Sequence, residues 1–251
     1  MSRSVTRSSR RVLVAGATSR IAQETAKLLA ASGDRLFLVA RDPDKLGVVR
    51  DDLSVRGGRP VDGMALDLDD AARHDEMIER AAASLGGLDV VLVAWGVLDA
   101  AGGDEAGRAD LVLRTNLLAP VSLLTRVARR FETEGTGLIV GISSVAGDRG
   151  RASNYVYGAS KGGLSLFLQG LRNRLHGRGV RVLTVKPGFV DTPMTAGVPK
   201  NFLFASPERV AAGIVSAMEH GRDVVYVPWF WRPIMALVRA LPEPLFKRLK
   251  L

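Results

Sequence analysis

Cysteine is absent from the 251 residues, which excludes a disulfide framework, a thiolate metal site and a cysteine nucleophile together. Histidine is scarce. Its three copies, His74, His176 and His220, are far apart and in no ligand spacing, so no metal site is expected. No apolar run reaches about 18 residues, so no membrane-spanning helix is expected. The Arg- and Ser-rich start lacks the apolar segment and small-residue cleavage site of a secretory signal. A chain on the cytoplasmic side is the resulting expectation. A Pro/Gly-rich linker, a low-complexity tract and an internal repeat are also missing, which argues for one continuous domain.

The composition, 47% hydrophobic and 24% charged, is enough to build a sizeable core. The net charge of +9 suggests a nucleic-acid surface until its placement is considered. Arg3, Arg7, Arg10 and Arg11 open the chain with no acid among them, and Arg232, Arg239, Lys247, Arg248 and Lys250 face only Glu243 at its end. The body between is nearly neutral. That pattern argues against a DNA-reading face and for ends that meet an anionic surface. Residues 1–10 are expected to form a flexible basic tail, 11–228 the folded domain and 229–251 an amphipathic extension of it.

Short Val/Leu/Ile runs alternate with helix-period segments, the pattern of a parallel sheet covered on both faces. Seven strands are predicted: Val12–Ala15, Leu36–Ala40, Gly63–Leu66, Val90–Ala94, Leu138–Ile142, Arg181–Val185 and Val224–Val227. The first ends in Gly16-Ala17-Thr18-Ser19-Arg20-Ile21-Ala22 and opens a helix, where a doubly wound α/β fold places a dinucleotide pyrophosphate. Only one of the three usual glycines is present, so the motif by itself does not separate a cofactor loop from an ordinary turn. Arg20 supplies a guanidinium that matches phosphate geometry. The second strand ends at Arg41, which suits an adenosine 2′-phosphate, and the two arginines are expected to face one phosphate. NADP(H) is therefore favoured, with NAD(H) as the alternative because Asp42 follows. Asp67, with Leu68, stands after the third strand, either at an adenine or as a helix cap.

Tyr157 and Lys161 are four residues apart on a predicted helix, so phenol and ammonium share a face. Ser144 stands thirteen residues earlier at a strand end. Asn116 lies in an earlier helical segment, and Pro187-Gly188-Phe189-Val190-Asp191-Thr192 follows the sixth strand. As a set over residues 11 to about 228, these motifs resemble the short-chain dehydrogenase/reductase family. The resemblance implies a Rossmann-type single domain, a small carbonyl substrate and a homodimer or homotetramer. It also implies roles: Tyr157 as proton donor, Lys161 lowering the phenol's pKa and holding the nicotinamide ribose, Ser144 orienting the substrate oxygen. Asn116 would hold a water, and Pro187, Gly188, Val190 and Thr192 the carboxamide. The usual Asn-Asn-Ala-Gly segment appears as Val93-Ala94-Trp95-Gly96, which leaves Gly96 as the backbone contact there. A non-catalytic dinucleotide-binding adaptor is the alternative that the catalytic set disfavours.

Residues 193–207 are expected to form a lid over the substrate. In the extension, Ile234, Leu237, Val238 and Leu241 form an apolar stripe flanked by cations and by Trp229 and Trp231. Packing on the core or a second copy is one use of such a stripe, and the interfacial plane of a membrane is another. The ending also resembles, more loosely, a branch of the family acting on polyprenyl-phosphate-linked keto-sugars, which implies a lipid-linked substrate. A simple ketone or a 3-oxoacyl thioester is the alternative.

Overall fold

The computed structural model describes residues 9–98 and 106–249. Strands β1 (Arg11–Ala15), β2 (Arg35–Ala40), β3 (Asp62–Ala65), β4 (Val90–Val93), β5 (Gly137–Ile142), β6 (Val180–Pro187) and β7 (Val224–Val227) form one parallel sheet in the order β3-β2-β1-β4-β5-β6-β7. All seven expected strands are present, with ends shifted by a residue or two. The order reverses between β1 and β4, which opens a crevice at the carboxyl ends of these two central strands.

Every second residue of β1 feeds a different core, because side chains alternate across a strand. Val12 and Val14 join Ala26 and Leu29 of α1 (Arg20–Ala31) and Ile214 and Met218 of α7 (Pro207–Glu219). Leu13 and Ala15 join Met77 of α3 (His74–Leu85), Leu123 and Phe131 of α5 (Ala119–Glu134) and Leu168 of α6 (Tyr155–Leu175). Both faces are thus covered. Each fully buried Leu or Phe contributes about 1.5–3 kcal/mol, so the strand ends that carry the site are rigidly held. Helix α4 (Ala106–Leu113) runs through a single π-turn at Arg114–Leu118 into α5. The stretch 106–134 has the length and apolarity of a membrane span, but half of its most apolar part is buried inside the domain, as befits a core helix. His74 is a satisfied core histidine: Nε2–H donates to Leu68 O at 2.9 Å and burial pushes its pKa down.

Residues 1–8 of the expected tail lie outside the described residues. Arg10 belongs to the fold, because its guanidinium meets the buried Asp34 at 2.6 Å, and Arg11 meets Asp89 at 2.6 Å. Both sit at the amino ends of the strands, opposite the crevice.

The extension packs on the domain with a register different from the expected stripe. In α8 (Trp231–Ala240), Trp231 and Met235 are buried, Ile234 and Val238 half-buried, and Leu237 is 68% exposed. Spacing left the angular position of the stripe open, and the aromatic start of the helix decides it. Arg149 anchors the end of this helix by donating to Val238 O at 2.7 Å and to Leu241 O at 2.5 Å. It also pairs with Glu243 and lies 3.7 Å from the ring centre of Phe246 in α9 (Glu243–Phe246). Of the cationic end, Lys250 lies outside the described residues.

Candidate active site

The crevice begins at Gly16. Its φ of +90° suits only glycine, and a Cβ there would stand 2.7 Å from the backbone nitrogen of Trp95; the β1–α1 turn thus lies against the end of β4. Gly16 N–H and Ala17 N–H both donate to Val39 O at 2.9 Å, which ties the turn to β2. Thr18 O accepts from Gln23 Nε2 at 2.9 Å, and Ser19 caps α1 without a side-chain bond. The first-turn N–H groups at Arg20 and Ile21 have no partner within the helix. The turn is therefore an anion cradle built from backbone.

The structure does not bring Arg20 and Arg41 to one phosphate through their side chains. The Arg20 guanidinium lies 3.3 Å from Glu24 and 3.9 Å from Glu208, because acids one turn along α1 and at the start of α7 capture it. Arg41 stays 81% exposed at the tip of β2, with Asp67 at 3.9 Å. Asp42, which had argued for NAD(H), is the N-cap of α2 (Pro43–Gly57). Its Oδ1 accepts from the N–H groups of Lys45 and Asp44 at 3.1 Å, and the Lys45 N–H holds its carboxyl below the usual range. Asp67 accepts from Asp69 N–H at 3.1 Å, while Leu68 is a core residue whose carbonyl faces His74.

On the other side of the crevice, Ser144 follows β5 by two residues and opens the 3₁₀ turn Val145–Asp148; its Oγ accepts from Ala146 N–H at 3.1 Å. This turn presses on α6: a Cβ on Gly147 would stand 2.5 Å from Gly162 N. Only glycines allow that approach, and it brings Ser144 near enough to Tyr157 to oppose the effect of burial on the phenol. Lys161 is 4% exposed, donates to Ile142 O at 3.1 Å and has its ammonium 5.9 Å from the centre of the Tyr157 ring. Ser144, Tyr157 and Lys161 are therefore brought together.

Burial dominates the titration of both groups: it pushes the Tyr157 phenol up, with Ser144 opposing it, and pushes Lys161 down to about 8. Both groups lie where charge is poorly solvated, and the ammonium points at a carbonyl rather than at the phenol. Asn116 holds the chain after β4. Fully buried in the π-turn, its Oδ1 accepts from Val97 N–H and its Nδ2 donates to Val97 O, both at 2.8 Å. The amide is thus a clamp on this segment. That clamp seats Gly96, where a Cβ would lie 2.8 Å from Asn116 Oδ1 and 3.4 Å from Lys161 Nζ. The neighbouring phenol, Tyr155, is 48% exposed at the start of α6.

Pro187 and Gly188 close the crevice, and Gly188 N–H donates to Val227 O at 3.1 Å. Val190 is buried and bridges Ala205; Thr192 N–H donates to Thr195 Oγ1 at 3.3 Å. The segment 193–207 keeps its ends close through this bridge and places Phe204 5.3 Å from Phe189 in a stack. Sequence reasoning missed a second ionic cluster. Asp148, at the end of the Ser144 turn, meets Lys186 at 2.5 Å and accepts from Tyr226 Oη at 2.8 Å. Burial and this carboxylate push Tyr226 up to about 12. Lys186 directly precedes Pro187, so the cluster ties the Ser144 turn to the Pro187-Gly188 turn. In the sequence its one local trace is the lysine directly before Pro187. Among the described residues no group of three or more metal-ligating side chains is found.

Comparison with known proteins places these features in a wider set. A family model described as short chain dehydrogenase matches residues 10–201. An uncharacterized oxidoreductase of Mycobacterium tuberculosis is 39% identical over 240 residues, which cover 95% of this chain and 96% of the relative. Among solved structures, a short-chain dehydrogenase from Sphingobium yanoikuyae in complex with NADPH superposes with a TM-score of 0.79. It is 25% identical, with 92% of this chain and 96% of that one covered. One from Burkholderia cenocepacia in complex with NADP has the same fold, with a TM-score of 0.81, 20% identity and coverage of 96% and 97%.

Proposed function

The chain belongs to the short-chain dehydrogenase family, and from that premise we propose that it is an NADP(H)-preferring oxidoreductase interconverting a ketone and a secondary alcohol. The observation that carries this reading is the cluster of Ser144, Tyr157 and Lys161 at the end of β5, across the crevice from the β1–α1 anion cradle.

The cradle fits a dinucleotide. The backbone of Gly16, Thr18, Ser19, Arg20 and Ile21 would hold the pyrophosphate, and Arg41 a 2′-phosphate. Asp67 and Leu68 would flank the adenine. Gly96 and Lys161 would meet the nicotinamide ribose, and Pro187, Gly188, Val190 and Thr192 the carboxamide. Two findings support NADP(H): Asp42 is engaged as a helix cap, and Arg41 stands exposed at the strand tip. The NADP and NADPH complexes of the two structural neighbours agree with it.

When bound, the coenzyme supplies hydride. The chain's own part is the proton. Because burial holds the Tyr157 phenol up, it keeps its proton at neutral pH and can release it to an alkoxide forming within reach. Ser144 Oγ, close to that hydroxyl, is placed to donate to the same substrate oxygen. Lys161, at about 8, is largely protonated at neutral pH, and its charge offsets the phenolate as the proton departs. Asn116 acts as a positioning residue by fixing Val97 and so the backbone of Gly96. The Asp148–Lys186 pair holds the two turns that carry the substrate side.

The exposed Leu111, Leu118 and Leu166 on α4, the π-turn and α6 support assembly with further copies. The outward Trp229, Leu237 and Leu245, with Arg232, Lys247 and Arg248 exposed among them, support contact with an anionic surface and a lipid-like substrate. An adaptor without catalysis is disfavoured by the assembled Ser144, Tyr157 and Lys161. NADPH oxidation with a panel of ketones tests the reading. Tyr157→Phe should keep NADPH binding and lower turnover by at least about 100-fold; equal turnover in both proteins would overturn the catalytic role.

A further inference from the structure

We propose that Arg151 is a substrate-recognition residue whose guanidinium binds an anionic oxygen group, carboxylate or phosphate, carried by the carbonyl substrate a few bonds from the reacting carbon. The proposal rests on the oxidoreductase reading and adds the charge of the substrate to it.

Arg151 lies in the segment that joins Ser144 to Tyr157. Ser144 opens the turn that ends at Asp148, and Tyr157 is the third residue of α6. Between them Arg151–Asn154 forms a β-turn, closed by Asn154 N–H donating to Arg151 O at 3.2 Å, and Asn154 O then accepts from Gly158 N–H at 2.8 Å. Two bonded turns in succession keep the Cα atoms of Arg151 and Tyr157 within about 12 Å of each other. Both side chains are long, so one small molecule can touch the two.

The guanidinium has nothing to bind within the chain. Arg151 is half-buried, its Nε is sealed from solvent without a partner, and the group makes no hydrogen bond or ion pair among the described residues. The terminal Nη1 and Nη2 stay open to solvent, so a ligand reaches them from outside. The other ionic groups of the segment are engaged elsewhere: Asp148 with Lys186 and Tyr226, Arg149 with Glu243 and the carbonyls at the end of α8. At the far end of the β-turn, Asn154 Oδ1 is buried and unpartnered, but it is neutral. Burial lowers the pKa of Arg151 and no carboxylate raises it back, whereas the half-buried Arg172 has Asp223 beside it. A cation taken partly out of water without a counter-ion is costly. Its donor fork matches a carboxylate or a phosphate with two parallel bonds. The coenzyme does not supply that anion, because the pyrophosphate cradle and Arg41 stand at the ends of β1 and β2, on the far side of β4 from β5. A ketone that carries its own anionic group is therefore the matching ligand.

The test compares levulinate with methyl levulinate, and hydroxyacetone phosphate with hydroxyacetone, as substrates of the wild type and of Arg151→Gln, with NADPH consumption as readout. In at least one pair the wild type should show the lower KM for the anion, and the pair that does so tells carboxylate from phosphate. Arg151→Gln should raise the KM for that anion about 10- to 100-fold more than the KM for its neutral partner, the size of a lost bond to a charged group. Equal KM values within both pairs in the wild type, or an equal rise for anion and neutral partner in the variant, would overturn the proposal. A measurement on the wild type stands independent of turnover and of how the variant folds. Phenylglyoxal labels accessible guanidinium groups, and mass spectrometry of the digested protein reads each arginine separately. Levulinate or hydroxyacetone phosphate should protect Arg151 from the label, and methyl levulinate and hydroxyacetone should not. Labelling of Arg151 that neither anion slows overturns the proposal even if the ketones are reduced. Protection without any NADPH oxidation would uphold the anion site and count against the oxidoreductase reading alone.

Discussion

Replacing Lys161 by Met should make the protein more stable while abolishing its proposed activity. Lys161 is 4% exposed, its ammonium bonds only Ile142 O among the described residues, and burial brings its pKa from 10.5 to about 8. That displacement corresponds to roughly 3 kcal/mol that the folded state loses by keeping the charge at neutral pH. Met has similar length and no charge. The lost bond to Ile142 O takes back about 1 kcal/mol, leaving a net gain of about 2 kcal/mol. For a chain of this size that raises Tm by about 4–8 °C. The pH dependence gives the sharper check. Below about pH 8 Lys161 is protonated in folded and unfolded chains alike, so the full deficit is present. Between 8 and 10.5 the unfolded chain binds the additional proton, and wild-type stability climbs with pH. The gap between variant and wild type should therefore be widest at pH 7 and close by about pH 10.5. Thermal melts of both proteins across pH 6–10.5 measure it. A Lys161→Met protein that melts lower than the wild type at pH 7, or a gap that does not narrow with pH, would refute the argument that the lysine is held charged against its surroundings for function.

Two further outcomes follow from the same structure. Arg41→Ala should weaken NADPH binding by about 10- to 100-fold, as for loss of a charge-assisted bond, and leave NADH nearly unchanged; equal losses, measured by titration of each coenzyme, would count against a 2′-phosphate at the β2 tip. Sedimentation velocity should give the mass of a dimer or tetramer, and the protein should co-pellet with vesicles of anionic but not neutral lipid. A monomer that ignores both vesicle types would remove the roles read for Leu111, Leu118 and Leu166 and for the outer row of the extension.

Much of this protein was legible before any fold was seen. Six of the seven strands follow from Val/Leu/Ile runs, because a strand covered on both faces must be apolar along its whole length; β3, Asp62–Ala65 at the sheet edge, carries none of these residues. Tyr157 and Lys161 face the same way because helical spacing is a property of the backbone. What stayed hidden depended on partners distant in sequence. Arg20 was a phosphate ligand on paper, and Glu208, nearly 190 residues later, joins Glu24 in holding it. Asn116 carried its residue type correctly, but its task, clamping Val97, is set by the π-turn that aims it inward.

The sequence by itself determined the layer order, the place of the proposed coenzyme loop and the residues of the proposed catalytic set, since these rest on local periodicity and on residue chemistry at short range. Only the tertiary structure decided the protonation balance between Tyr157 and Lys161, the pairing of Asp148 with Lys186 and Tyr226, and the indole placed over Gly188. Those depend on burial and on which distant groups share a dry space, and neither is a function of spacing along the chain.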